Sequence, residues 1–164
     1  MLLESLQKRL AYHEWAWQQI FDSIKQLDEA EYKKDRGYFW GSMHGMLVHG
    51  MAAEVIWLSR SKGVSPKTLL DPDDYPDLSS VLSHWEIVAV DLREFIHSIT
   101  LDDLARTVEY RSTEGDIKQL NQLDIIQQVL NHATEHRSQL TPTLFNLGVP
   151  TCWMDYMYFC LLDV

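Results

Sequence analysis

Apolar residues return at spacings of three, four and seven along most of this 164-residue chain, and the pattern divides it into four long helices. The first spans residues 2 to 27. Leu3, Leu6, Leu10, Trp17, Phe21 and Ile24 form its apolar stripe, with Lys8, Arg9, Gln18, Gln19 and Lys25 between them. Neither Pro nor Gly interrupts it. A connection begins at Leu27-Asp28-Glu29-Ala30-Glu31, and Gly37 and Gly41 bound the aromatic segment Tyr38-Phe39-Trp40, which reads as a packed loop. The second helix runs from Ser42, an N-cap residue type, to Ser61, with Gly63 as its stop. It is apolar nearly all round, from Met43 and Met46 through Met51 and Val55 to Leu58, so it belongs at the centre of the fold.

Residues 64–78 carry Pro66, Pro72 and Pro76 among four aspartates and read as a surface loop. The third helix begins at Ser79 or Ser80 and ends at Ser98, with Val81, Leu82, Trp85, Val88, Ala89, Leu92, Phe95 and Ile96 as its stripe. Alternation over residues 107–117, with Gly115 inside, predicts a small hairpin or irregular arm. Asn121, with Asp124 three later, marks the start of the fourth helix, which stops at Gly148. Pro142 falls late in that helix and should bend it or end it early. The apolar tail from Trp153 to Leu162 predicts a short closing helix. The fold class is therefore all-α, a four-helix bundle with long connections at 63–79 and 98–121 that permit a crossover topology. The length fits one domain over residues 1–164.

Charge and composition narrow the partners. A net charge of −10 with no basic stripe argues against nucleic acid, because phosphate binding needs clustered Lys and Arg. No signal peptide opens the chain and no apolar run is long enough to span a membrane, so a cytoplasmic protein without a membrane partner is expected. Cys152 and Cys160 form no CxxC and no disulfide framework; a reducing compartment follows, with both thiols expected to be buried as small apolar groups. GxSxG, Walker A and GxGxxG motifs are absent.

The chemistry lies in the histidines, of which there are seven. His132 and His136 sit four apart on the fourth helix, so their rings share one face, one turn apart. They continue a stripe with Val129, Leu140 and Thr143, which turns them toward the core. Burying two imidazoles in register is costly unless something satisfies both. On the second helix, His44 and His49 are five apart, about 140° around the axis, and cannot aim at one point. His49 is preferred as a third ligand, since Gly50 and Ala53 beside it allow another helix to approach; His44 is the alternative. His13, His84 and His97 lack a partner at ligand spacing and read as surface or structural residues. Three imidazoles suit Zn²⁺, Ni²⁺, Fe²⁺ or Co²⁺ and leave a position for water or substrate. Glu54, Asp91, Glu135 and Gln139 are unranked candidates to hold the ligands' other ring nitrogens. His132-Ala133-Thr134-Glu135-His136 also matches the H-x-x-E-H pattern of inverted zinc proteases. Only Asp155 and Asp163 are acidic in the 28 residues that follow, so the downstream glutamate ligand has no counterpart.

Four segments in order resemble the DinB/YfiT-like metal-binding superfamily. They are Tyr12-His13-Glu14-Trp15-Ala16, the run from Asp35-Arg36-Gly37 through Ser42-Met43-His44-Gly45-Met46-Leu47-Val48-His49 to Glu54-Val55-Ile56-Trp57-Leu58, Asn131-His132-Ala133-Thr134-Glu135-His136-Arg137-Ser138-Gln139, and Leu147-Gly148-Val149-Pro150 with Asp155, Tyr158 and Phe159. The resemblance covers nearly the whole chain. It implies a four-helix bundle of DinB/YfiT type, a homodimer, and a divalent metal on His49, His132 and His136. Glu135 and Ser138 depart from the family's His and Gly, and Trp17 stands where many relatives have Asn. Relatives with assigned activity include thiol-dependent S-transferases and a thiol-dependent isomerase. The resemblance thus implies a metal-dependent thiol S-transferase or hydrolase acting on a small molecule, with a low-molecular-weight thiol as co-substrate. The alternative is a non-enzymatic, stress-linked binding or dimerisation bundle with a structural or vestigial metal site.

Overall fold

The computed structural model describes residues 1–162. The four long helices are α1 (Leu2–Ile24), α3 (Met43–Ser61), α4 (Leu78–Ser98) and α6 (Gln122–Asn146). Three short ones, α2 (Glu29–Lys33), α5 (Leu101–Ala105) and α7 (Tyr156–Leu161), lie in the connections and the tail. The long helices pack in the cyclic order α1–α6–α3–α4, and the α1–α4 seam is the loosest. The fold is all-α apart from one two-stranded hairpin.

Local chemistry sets most of the boundaries. Asp28 accepts from the Glu31 N–H at 2.7 Å and starts α2, so the first long helix stops at Ile24 and not at residue 27. Ser42 caps α3 by accepting from the Gly45 N–H at 3.1 Å. The third long helix starts earlier than Ser79. Asp77 and Ser80 form a reciprocal capping box, with the Ser80 N–H donating to Asp77 Oδ1 at 2.8 Å. The 98–121 connection is ordered by a second such box, Thr100 with Asp103, and by strands β1 (Thr107–Arg111) and β2 (Ile117–Asn121) in antiparallel register. Gly115, at φ 98°, turns the hairpin. Asn121 precedes α6 without a side-chain cap.

Pro142 does not end α6, which runs on to Asn146. The proline and Ser138, whose carbonyl it leaves without a helix donor, are both exposed and face water. Meanwhile Leu140 and Leu144 are fully buried and hold the last turns on the core.

That core is in two parts. One cluster gathers Trp17, Phe21, Met46, Met51, Trp85 and Leu140; the other gathers Leu6, Leu10, Leu58, Leu92, Ile96 and Val129. Along α1 the switch between them falls at His13, and along α3 at Glu54. Both side chains are buried, at 3% and 2% exposure, and they meet at 3.1 Å. A polar pair therefore lies between the two apolar clusters. Among the described residues no helix is long and apolar enough to cross a membrane.

Candidate metal centre

The site begins with a chain reversal ahead of α3. The Gly41 N–H donates to the Tyr38 carbonyl and the Arg36 N–H to the Gly41 carbonyl, each at 2.9 Å, closing a turn that Gly41 completes at φ 75°. The turn lies directly on the first coil of α3. A Cβ on Gly45 would stand 2.1 Å from the Trp40 carbonyl oxygen, so only glycine admits this approach. Tyr38 hydrogen-bonds Thr143 on α6 and ties the turn across the α3–α6 seam. The result is that the Trp40 ring stacks on His49, centroids 3.9 Å apart and planes 15° from parallel.

Under this cover three imidazoles meet. His132 and His136 lie one turn apart on α6, and His49 faces them from α3. The His132 Nε2 atom is 3.0 Å from His136 Nε2 and 3.2 Å from His49 Nε2. One ligand atom from each residue lies within 4.8 Å of the other two. Two nitrogens bound to one first-row ion at about 2.05 Å stand about 2.9–3.4 Å apart for angles between square and tetrahedral. The observed separations fall in that window. His136 Nδ1 is 2.9 Å from Gln139 Oε1. This places the imidazole proton on Nδ1 and leaves the Nε2 lone pair facing the cluster.

Electrostatics favour the uncharged form of His49 and His132. Burial, followed by repulsion from His136 and His132, pushes the His49 pKa down to about 4. Burial is also the main cause lowering His132; His136 adds to it, and Glu135 and Glu54 oppose it. Neutral imidazole is the form that a metal requires. Beside the cluster, a cavity of about 510 Å³ opens to solvent between the 38–40 turn and the two helices. Trp40, Met46, Glu135 and Gln139 line it, and Phe39, 90% exposed, stands at its rim.

Of the residues singled out in the sequence, His49, His132 and His136 come together. His44, the alternative third ligand, does not. Both its nitrogens are engaged elsewhere, Nδ1 with the Tyr32 hydroxyl and Nε2 with the Pro72 carbonyl, each at 3.0 Å. His84 pairs with Tyr75 at 2.7 Å, and His97 is exposed. Among the unranked supporting residues only Gln139 reaches a ligand; Glu135 lines the cavity, Glu54 faces His13, and Asp91 is exposed on α4. Cys152 and Cys160 are both exposed, against the expectation of burial, because the 151–155 segment and α7 lie on the surface of the bundle. Sequence reasoning missed Trp40 as the cover of His49. The available signal was Gly45, a glycine inside the first turn of an otherwise apolar helix.

Comparison with known proteins finds similarity along nearly the whole chain. A model of the DinB family matches residues 2–161. Protein DinB of Bacillus subtilis (strain 168) is 24% identical over 165 residues, covering 91% of this chain and 90% of the relative.

Proposed function

The chain belongs to the DinB family, and on that premise we propose that it is a divalent-metal protein whose three-histidine centre serves thiol S-transfer or hydrolysis on a small molecule. The observation that carries the reading is the convergence of three imidazoles at the floor of an open cavity. His49, His132 and His136 would hold the ion, with Zn²⁺ and Ni²⁺ suited to the donor set. When bound, such an ion lowers the pKa of a coordinated thiol or water and so supplies a nucleophile at neutral pH.

The chain's own residues have separable duties in this reading. Gln139 orients His136 by accepting its Nδ1 proton. Trp40 shields the outer face of His49 from water. Phe39, Met46 and Trp40 offer an apolar wall for the body of a substrate. Glu135, on the same cavity, is placed to accept a proton there. A closed, filled site would instead have favoured a structural ion in a non-enzymatic bundle.

The direct test has two stages. Metal analysis of the purified protein should find one ion per chain, lost when any of the three histidines becomes Ala. The loaded protein should then accelerate conjugation of a low-molecular-weight thiol to a chlorobimane, or hydrolysis of an activated ester. Tight metal binding with neither activity would leave the non-enzymatic reading in place. A homodimer and a cytoplasmic setting belong to the same proposal. Phe145, Trp153, Met157 and Leu161 expose 59–72% of their surface near the C-terminus and offer apolar area to a second copy. The two exposed free thiols suit a reducing compartment. Sedimentation at several concentrations would show the dimer or remove it.

A further inference from the structure

We propose that the α1–α4 seam holds a second binding site, separate from the metal centre, that takes a primary amine carrying an apolar body. The seam encloses a cavity of about 370 Å³. Its polar floor is Glu54 from α3 and His13 from α1; its walls include Trp17, Phe21 and Trp85. None of these residues belongs to the histidine cluster.

The floor is polar and under-satisfied. Glu54 is 2% exposed, and neither carboxylate oxygen has a properly aligned hydrogen bond. Its one close contact with a basic group among the described residues is His13 Nε2 at 3.1 Å. His13 Nδ1 and Trp17 Nε1 are likewise buried and without partners. A buried polar atom left unpaired costs on the order of 1–3 kcal/mol, and four such atoms bordering one cavity are too many for an ordinary core. Arg137, a buried cation on α6, packs on the Trp17 ring at 5.4 Å and donates to Thr134 at 2.9 Å; its charge reaches Glu54 only at a distance, without a close ion pair.

The missing partners define the ligand. Three of the unpaired atoms can accept, the two Glu54 carboxylate oxygens and His13 Nδ1; the fourth, Trp17 Nε1–H, is a donor. A primary ammonium group brings three donors and one positive charge. The walls fit the rest of such a molecule. Trp17 and Trp85 lie 4.5 Å apart at 59°, and Phe21 stacks beside Trp17 at 5.7 Å, so three aromatic rings line the same cavity as Glu54. The face of an aromatic ring attracts an organic cation. At the mouth, Arg93 is held by Glu14 at 3.0 Å, so that cation is already paired.

Phenethylamine is the probe, and 2-phenylethanol its neutral counterpart. In the ¹⁵N-labelled, metal-loaded protein, phenethylamine is expected to shift the Trp17 and Trp85 indole N–H signals saturably, and the alcohol is not. Glu54→Gln should weaken binding tenfold or more while one metal ion per chain remains. Ala89→Trp, which fills the cavity from α4, should abolish the shift without touching the carboxylate, and it carries the test alone if Glu54→Gln does not fold. Three results would each overturn the proposal: no saturable shift up to about 10 mM amine, equal binding of the alcohol, or undiminished amine binding in a folded Ala89→Trp.

Discussion

Replacing His132 with Ala tests the metal centre most sharply, because His132 Nε2 is the atom that lies within 3.0–3.2 Å of both other ligands. The side chain is only half-buried and its two nitrogen contacts are to other imidazoles, so the variant should fold. What it removes is a third of the donor set. A protein at a metal concentration of one hundred times Kd gains about 2.7 kcal/mol from binding. For a chain of this size that is a rise of about 5–11 °C in Tm. If the lost ligand weakens binding a hundredfold, the gain at the same metal concentration falls to about 0.4 kcal/mol, or near 1 °C. The assay is a pair of melts, chelator-treated and metal-saturated, for wild type and His132→Ala, with metal content measured after dialysis. His44→Ala is the control. It should lose stability through the Tyr32 and Pro72 contacts, by about 1–3 kcal/mol, while keeping one metal ion per chain. The reasoning fails if His132→Ala retains a full ion and the full metal-dependent rise in Tm, or if His44→Ala is the variant that loses both.

Gln139→Ala should leave the melt of the chelated protein within about 0.5 kcal/mol of wild type, since the residue is exposed. Its metal affinity should fall about 10–100-fold because the Nδ1–H of His136 loses its acceptor; a competition titration with a chromophoric chelator reads this directly. Gly45→Ala drives a methyl group onto the Trp40 carbonyl and should cost about 1–3 kcal/mol. The displaced Trp40 ring should also change its fluorescence and uncover His49; an unaltered melt would contradict the close approach. The pH dependence follows from the depressed histidines. His49 takes its proton in the unfolded chain near pH 6.5 but in the folded protein only near pH 4. Between those values the unfolded state binds more protons, so stability is complete above pH 6.5 and is lost as pH falls toward 4. Allowing for solvent screening of a half-exposed group, the loss is on the order of 1–2 kcal/mol. Urea midpoints of the chelated protein across that range should show it, and His49→Ala should flatten the curve.

The pattern of apolar positions was enough to determine four long helices, a hairpin before the last of them and the pairing of His132 with His136. Periodicity and capping act within a few residues of chain, and those interactions are written directly in the sequence. Gly148 and Ser42 ended and began helices where local rules place them. Local rules failed where the environment decided. Pro142 was expected to bend α6 or end it early; it does not end it, because its ring faces water while Leu140 and Leu144 anchor the same turns in the core. Cys152 and Cys160 were read as buried, yet the tail that carries them lies on the surface. In the sequence His13 reads as a surface or structural residue and His44 as the alternative ligand; both are buried, His13 against Glu54 and His44 against Tyr32 and the Pro72 carbonyl.

The convergence of His49 with the α6 pair, the stacking of Trp40 over it and the meeting of His13 with Glu54 are tertiary facts. Each joins residues from different helices or from a turn and a helix, and no spacing along one helix can reveal them. Helix periodicity says which face a residue occupies. Only the packing of α3 between α4 and α6 decides that His49 looks toward one seam, Glu54 toward another, and that one becomes a candidate metal ligand and the other the floor of a second cavity.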